Sequence, residues 1–411
     1  MPENATHDRL ATFDFTTPRD GLETRMDIGL SCTVWAMCER AGHLDGIGVY
    51  TRSLWQAMEA LKQSEESGIA IKPYAFGRNL PELACGVPKT LSTDFRIQVL
   101  ASGLLGLPLP NSSAIARDVD IVHASDHQIP RISGVPVVAT VMDAIPLIHP
   151  EWIRQNLKTL KGWLFARSVH SADHLITISE HSKQDLVTHM GIAPEKISVT
   201  PLGVDPVYFE RIPLETRDAV LDKHQIKPGF FLFIGTLQPR KNLPKVLEAF
   251  NALPETVRKE HPLIVVGRDG WANEDLIPQL KALEAKGEGS WLSYLPQSDV
   301  FALLQSAGAL VFASLYEGFG LPVIEAFAAQ CPVIASNTTS LPEVTGNAAW
   351  AVDPLDASSI SAAMLDVLSD EALRTERIEI GLERARQFTW EECARQTLAV
   401  YRKVLAAHPR A

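Results

Sequence analysis

Short runs of Val, Ile, Leu and Phe, almost free of polar interruption, recur along this chain with longer helical patterns between them. "DIVHAS" (120–125), "VPVVATVMD" (135–143) and "HLITIS" (174–179) form a first group. "FFLFIGT" (230–236), "PLIVVG" (262–267), "GALVFAS" (308–314) and "CPVIAS" (331–336) form a second. A strand that is apolar at nearly every position has no face to offer water. Separated by helices, such strands build parallel sheets covered on both sides, so the fold class is α/β. With 411 residues the chain exceeds what one core organises, which predicts two doubly wound, Rossmann-like domains facing a cleft. "PLGVDPVYFERIP" (201–213), with one glycine and three prolines, marks the passage between them. The expected division is 1–208 and 209–388, with a C-terminal helix from about 389 to 411 returning to the first domain. "TWEECARQTLAVYRKVL" (389–405) has the amphipathic pattern for that helix, with Thr389 or a neighbour to cap it.

Composition narrows the function classes. A formal net charge of -11 argues against a nucleic-acid binder, whose affinity depends on Lys and Arg meeting phosphates. The five cysteines are odd in number and lack C-x-x-C spacing, so neither a zinc site nor a disulfide framework is expected. The polar start "MPENATHDRL" shows no secretory signal, and the expected location is cytoplasmic. The oily stretch "IQVLASGLLGLPLP" (97–110) is too short and too broken by Gly and Pro to span a bilayer. It is compatible with peripheral membrane contact, with an acceptor groove, or with a buried loop and helix.

"SLYEGFGLPVIEAFAAQCPVIAS" (314–336) sets Glu317 and Glu325 eight positions apart. Glu317 falls just past the "GALVFAS" strand, where ligands of doubly wound sheets sit. Pro322 suits a first helical turn, and Gly318 and Gly320 permit unusual dihedrals and close approach of a ligand. Amides at that helix start favour an anion, while carboxylates accept from sugar hydroxyls. The stretch reads as a seat for a sugar joined to a phosphate. A helix cap at Glu317 and a surface ion pair at Glu325 are the bland alternatives.

The same residues, "YEGFGLPVIEAFAAQCPVIASNTTSLPEV", resemble the E-x7-E signature of glycosyltransferase family 4, retaining sugar transferases of GT-B fold. "DGIGVYTRSL" (45–54), "ISEHSKQDL" (178–186), "VTPLGVDPVYF" (199–209) and "IGTLQPRKN" (234–242) follow the family's order. The resemblance implies that Glu317 contacts the donor sugar, and that the amides of Phe319, Gly320 and Leu321 meet sugar and diphosphate. Glu325 would hold the ribose hydroxyls, and Leu295 in "SYLPQSDV" would pass the nucleobase edge. Arg240 and Lys241 would neutralise the leaving diphosphate in place of a metal, so no metal or cofactor is expected. Many members have Arg where this chain has Thr236, which leaves open which cation dominates. Gly46 and Gly48 fail as a dinucleotide fingerprint, because Thr51 takes the third glycine's position. They fit a loop whose amides approach the donor phosphate or acceptor, or a plain tight turn. Relatives often have His before the Asp that ends the "VPVVATVMD" strand; here it is Met142. Asp143 remains, either to orient the sugar or take the acceptor's proton, or as a loop cap. His123, Asp126, His127 and His149 are candidates to compensate. Glu343 and Asp353 read as turn or cap residues.

The overall pattern resembles bacterial mannosyltransferases of surface-polysaccharide assembly. The implied donor is GDP-mannose, with UDP-glucose or another sugar nucleotide as runner-up, and the acceptor a saccharide or lipid-linked saccharide. A non-catalytic sugar-nucleotide binder is the reading from another class, favoured by Met142. A sugar-nucleotide epimerase or a phosphorylase of the same fold is disfavoured by the E-x7-E context.

Overall fold

Among the described residues, thirteen strands assemble into two parallel sheets. The first contains β1 (Met26–Ser31), β2 (Ile69–Ala75), β3 (Lys89–Thr90), β4 (Ile121–Ala124), β5 (Val137–Thr140), β6 (His174–Thr177) and β7 (Ile197–Val199). Its order is β3-β2-β1-β4-β5-β6-β7. The second contains β8 (Phe231–Ile234), β9 (Leu263–Val266), β10 (Gly289–Leu292), β11 (Ala309–Phe312), β12 (Val333–Ser336) and β13 (Trp350–Val352), in the order β10-β9-β8-β11-β12-β13. Both orders reverse direction after their first strand, as in a dinucleotide-binding fold. Each sheet therefore has a switch point, β1/β4 in one and β8/β11 in the other, where crevices open at the strands' carboxyl ends. Two such units make the GT-B architecture. The computed structural model describes residues 25–64, 68–77, 80–90, 106–108, 112–125, 129–152, 158–270 and 275–409. Asp126, His127 and most of the oily stretch 97–110 lie outside them.

The expected strands are β4, β5, β6, β8, β9, β11 and β12. They fill the sheet interiors, and β4, β5, β6, β9, β11 and β12 are buried at every position. One apolar cluster runs from Ile28, Tyr50 and Val138 of the first unit through Tyr208 of the linker into Leu310, Ile324 and Phe327 of the second. Trp390, Leu398 and Tyr401 of the closing helix (Trp390–Ala407) belong to the same cluster. That helix is capped by Thr389, whose side chain accepts from the Glu392 amide, and it packs on the helix Gly46–Ser64.

His123 takes a part in this packing, not in chemistry. Its ring is hydrogen-bonded to Tyr401 Oη at 2.5 Å and Thr140 Oγ1 at 2.7 Å, and Tyr50 Oη reaches the same Thr140 at 2.8 Å. Burial holds the imidazole down near pKa 3, so it stays neutral and fastens the closing helix to β4 and β5. Among the described residues, no helix is long and apolar enough to cross a membrane.

Candidate active site

The loop after β8 and the loop after β11 meet at the second sheet's switch point. Leu315 N donates to Arg240 O at 2.8 Å, binding one loop to the other. Asn242 closes the first loop: it is buried, at φ +60°, and its amide donates to Ala313 O (2.9 Å) and Pro354 O (2.7 Å). Between them stands Glu317, 6% exposed. Arg240 Nη1 donates to one carboxylate oxygen and Lys241 Nζ to the other, each at 2.7 Å. The two cations thus share one carboxylate. Lys241 also lies 4.6 Å from the Phe312 ring centre.

Charge explains why buried Glu317 and Lys241, beside half-buried Arg240, stay ionised. Desolvation pushes Glu317 up, but Arg240 and Lys241 outweigh it and hold the carboxyl at about 2. Desolvation, opposed by Glu317, brings Lys241 down to about 8. Arg240 and Lys241 both face Glu317, and Asp143 adds a second negative charge that reaches Arg240.

The signature helix (Leu321–Ala328) starts directly after this cluster. Its cap, Gly320, has φ +114°, a backbone state side chains avoid, and a Cβ there would meet Leu341 at 2.7 Å. Ser340 Oγ donates to the carbonyls of Glu317 (2.8 Å) and Phe319 (3.1 Å), fixing the turn. Phe319 is buried edge-on against Phe388, and Leu321 is half-buried at the helix start. Gly318 has no positive φ. A Cβ on it would meet the Met142 carbonyl at 2.8 Å, so its smallness serves contact with the first unit, which corrects the expectation of a dihedral role. Glu317 is no helix cap.

Glu325, half-buried, lies beside the phenol of Tyr208 in the linker. Burial raises its carboxyl to about 7, opposed by the Tyr208 hydrogen bond and reinforced by Asp205. Leu295 packs on the same apolar cluster as Tyr208 and Phe301. Asp143 Oδ1 accepts from Ile145 N at 3.0 Å, the loop-cap role, yet its charge also reaches Arg240. His149 stacks on Trp152 at 3.7 Å and meets the ring of Tyr316, the residue before Glu317, at 6.0 Å.

Gly46 and Gly48 begin the helix Gly46–Ser64. Gly48 N already donates to Asp45 Oδ1 at 2.8 Å, so Asp45 caps this helix and that amide is engaged. A phosphate reaching the Gly48 amide would compete with Asp45 for it. Among the described residues, no three His, Cys, Asp or Glu side chains gather as metal ligands.

Residues 91–208 match the profile of "Glycosyltransferase Family 4", and residues 217–384 match that of "Glycosyl transferases group 1". The chain is a family 4 glycosyltransferase. The transferase is 38% identical over 259 residues to "O-antigen chain mannosyltransferase B" of Escherichia coli, a match spanning 62% of this chain and 66% of that one. It is 29% identical over 414 residues to "MMP alpha-(1->4)-mannosyltransferase" of Mycolicibacterium hassiacum, covering 89% and 96% respectively. A glycosyltransferase from Rickettsia africae superposes with TM-score 0.67 over 93% of this chain and 99% of its own, at 17% identity. That last likeness speaks for the fold alone.

Tyr208 and Asp185 fall inside segments quoted above, but no spacing rule pairs Tyr208 with Glu325 or Asp185 with Tyr316. Glu343 does cap a helix, but one in the other unit (Glu180–Met190).

Proposed function

We propose that the enzyme transfers mannose from GDP-mannose to a hydroxyl of a saccharide or lipid-linked saccharide, with retention, in polysaccharide or glycolipid assembly. The Arg240–Lys241–Glu317 cluster at the switch point carries this reading, in a chain whose two relatives above are both named mannosyltransferases. In this reading the diphosphate seats on Arg240 and Lys241 while a sugar hydroxyl donates to Glu317. As the bond from the anomeric carbon to phosphate oxygen breaks, its electron pair leaves with the diphosphate. The acceptor oxygen bonds to the same face of that carbon, and its proton passes to the departing phosphate oxygen. Fixed cations meet the developing charge better than the ground state, the work a metal does elsewhere. No metal or other cofactor is required, and the reaction draws on a cytoplasmic sugar-nucleotide pool.

A panel of sugar nucleotides in excess EDTA, with and without saccharide acceptors, tests the proposal. GDP-mannose should release nucleoside diphosphate fastest. Release from no donor would leave a non-catalytic binder, fastest release from UDP-glucose would move the donor, and rescue by Mg²⁺ or Mn²⁺ alone would overturn the role of the cations. Peripheral membrane contact is supported by exposed Trp163 and Leu107 beside exposed Arg131 and Arg167, the last 5.4 Å from the Trp163 ring. Sedimentation with anionic vesicles, lost on Trp163→Ser with Arg167→Ser, would bear it out; equal sedimentation of both proteins would remove it.

The pH profile follows from the two shifted groups. Ribose hydroxyls need an ionised Glu325, which forms as pH rises through about 7. Phosphate needs a charged Lys241, which is lost as pH rises through about 8. Donor kcat/KM should therefore rise, peak between these values and fall. Glu325→Gln should abolish the acidic limb; an unchanged limb would exclude Glu325 as its source.

A further inference from the structure

The first two turns of the helix Glu180–Met190, in the first unit, touch the residues on both sides of Glu317, in the second. On one side, Tyr316 Oη donates to Asp185 Oδ2. On the other, Ser182 Oγ lies 3.3 Å from Gly318 O and 2.9 Å from Met142 O, so one hydroxyl bridges the two units. The missing Cβ of Gly318 is what admits Met142 so closely. The helix is then held by its own start: Glu343 accepts from Glu180 N at 2.8 Å and from His181 N at 2.7 Å, one amide per oxygen. Arg384 steadies Glu343 from behind, donating to the carbonyls of Glu343 and Val344. Unpaired amides at a helix start carry partial positive charge, so a carboxylate bound across two of them is a directed contact. It forms only when the units meet.

We infer that Glu343, Asp185 and Tyr316 form a cross-unit clasp that positions Glu317 against Arg240 and Lys241, so that closing the cleft sets the catalytic carboxylate in place. The inference rests on the proposed role of Glu317. Tyr316 is 4% exposed and its ring also meets His149 and His181, so removing the hydroxyl alone leaves the packing intact. The nucleotide-facing loops after β8 and β11 belong wholly to the second unit, so losing the clasp should spare nucleotide binding and impair the step that needs both units.

The test compares full-length wild type, Glu343→Gln, Glu343→Ala and Tyr316→Phe, by steady-state kinetics and by direct titration with GDP. Expected is a fall in kcat of at least ~10-fold in Glu343→Ala and Tyr316→Phe, an intermediate fall in Glu343→Gln, and GDP affinity within about 2-fold of wild type. Scattering with GDP and acceptor should give Glu343→Ala a larger radius of gyration than wild type. Wild-type kcat in folded Glu343→Ala and Tyr316→Phe would overturn the clasp, as would a loss of GDP affinity matching the loss of kcat. If Glu343→Ala does not fold, Tyr316→Phe decides alone. A wild type inactive with every donor would sink the function itself, an outcome separate from active wild type with unimpaired variants.

Discussion

Glu317→Gln is expected to lower turnover at least ~100-fold and also to destabilise the unliganded protein, with nucleoside diphosphate restoring much of that stability. The two effects share one cause. Glu317 is the counter-charge for buried Lys241 and half-buried Arg240, each 2.7 Å from one of its oxygens. A neutral amide of the same shape leaves Arg240 and Lys241 uncompensated, and removing one partner of a buried ion pair costs about 3–5 kcal/mol. A bound diphosphate supplies the missing negative charge, so the variant gains more from it than wild type, where Glu317 already neutralises part of the site. Thermal melts with and without GDP read this directly: the ligand-induced rise in Tm should be larger in the variant. Near-normal kcat/KM in a folded variant would remove the catalytic role. An equal GDP-induced rise in both proteins would show that the carboxylate and the diphosphate do not share these cations. Glu325→Ala serves as the comparison, since it should also reduce turnover yet leave the cation pair balanced.

How much of this was legible in the sequence depends on where a residue finds its partners. β11, Glu317 and the signature helix lie on one continuous segment, and Arg240 and Lys241 are adjacent, so local pattern identified them. Their mutual contact was not readable, because it joins positions 76 and 77 residues apart. Strand recognition failed at β2 and β10, which have partly exposed residues and no continuous apolar run. β1 was missed although it is central, because Asp27 and Gly29 interrupt its apolar run. Asp27 is satisfied by Lys72 at 2.8 Å, and Gly29 lies against Val119. The Gly46–Gly48 loop shows the opposite failure. The motif suggested available amides, but Asp45 engages one of them, and only the fold reveals which acceptor wins.

Gly203→Ala should be among the most disruptive single substitutions in the chain, although residue 203 lies outside the Arg240–Lys241–Glu317 cluster. The chain passes between the units twice, once through the linker after β7 and once entering the closing helix, and the two passes are bonded to each other. Val204 N donates to Phe388 O at 3.0 Å, and Val204 and Thr389 form an isolated parallel bridge. A Cβ on Gly203 would lie 2.0 Å from Trp390 N and 2.4 Å from Thr389 C, both backbone atoms. No rotamer change relieves that overlap, so one pass must move by more than an ångström. Neither moves freely: Trp390 is buried with its ring 6.3 Å from Tyr50, and Thr389 caps the closing helix through Glu392 N at 3.1 Å. Losing the crossing uncouples that helix, with its Tyr401–His123 contact, from the first sheet. The expected cost is at least ~4 kcal/mol, in the range reserved for clashes within a packed core. Gly191→Ala is the matched control: φ is +64° there but nothing lies within 4 Å of its Cβ, so only the roughly 1 kcal/mol of backbone strain applies. Urea unfolding of both variants separates the cases. A Gly203→Ala midpoint no lower than that of Gly191→Ala would show that the two passes slide past one another, and that the crossing is a loose hinge, not a rigid pivot.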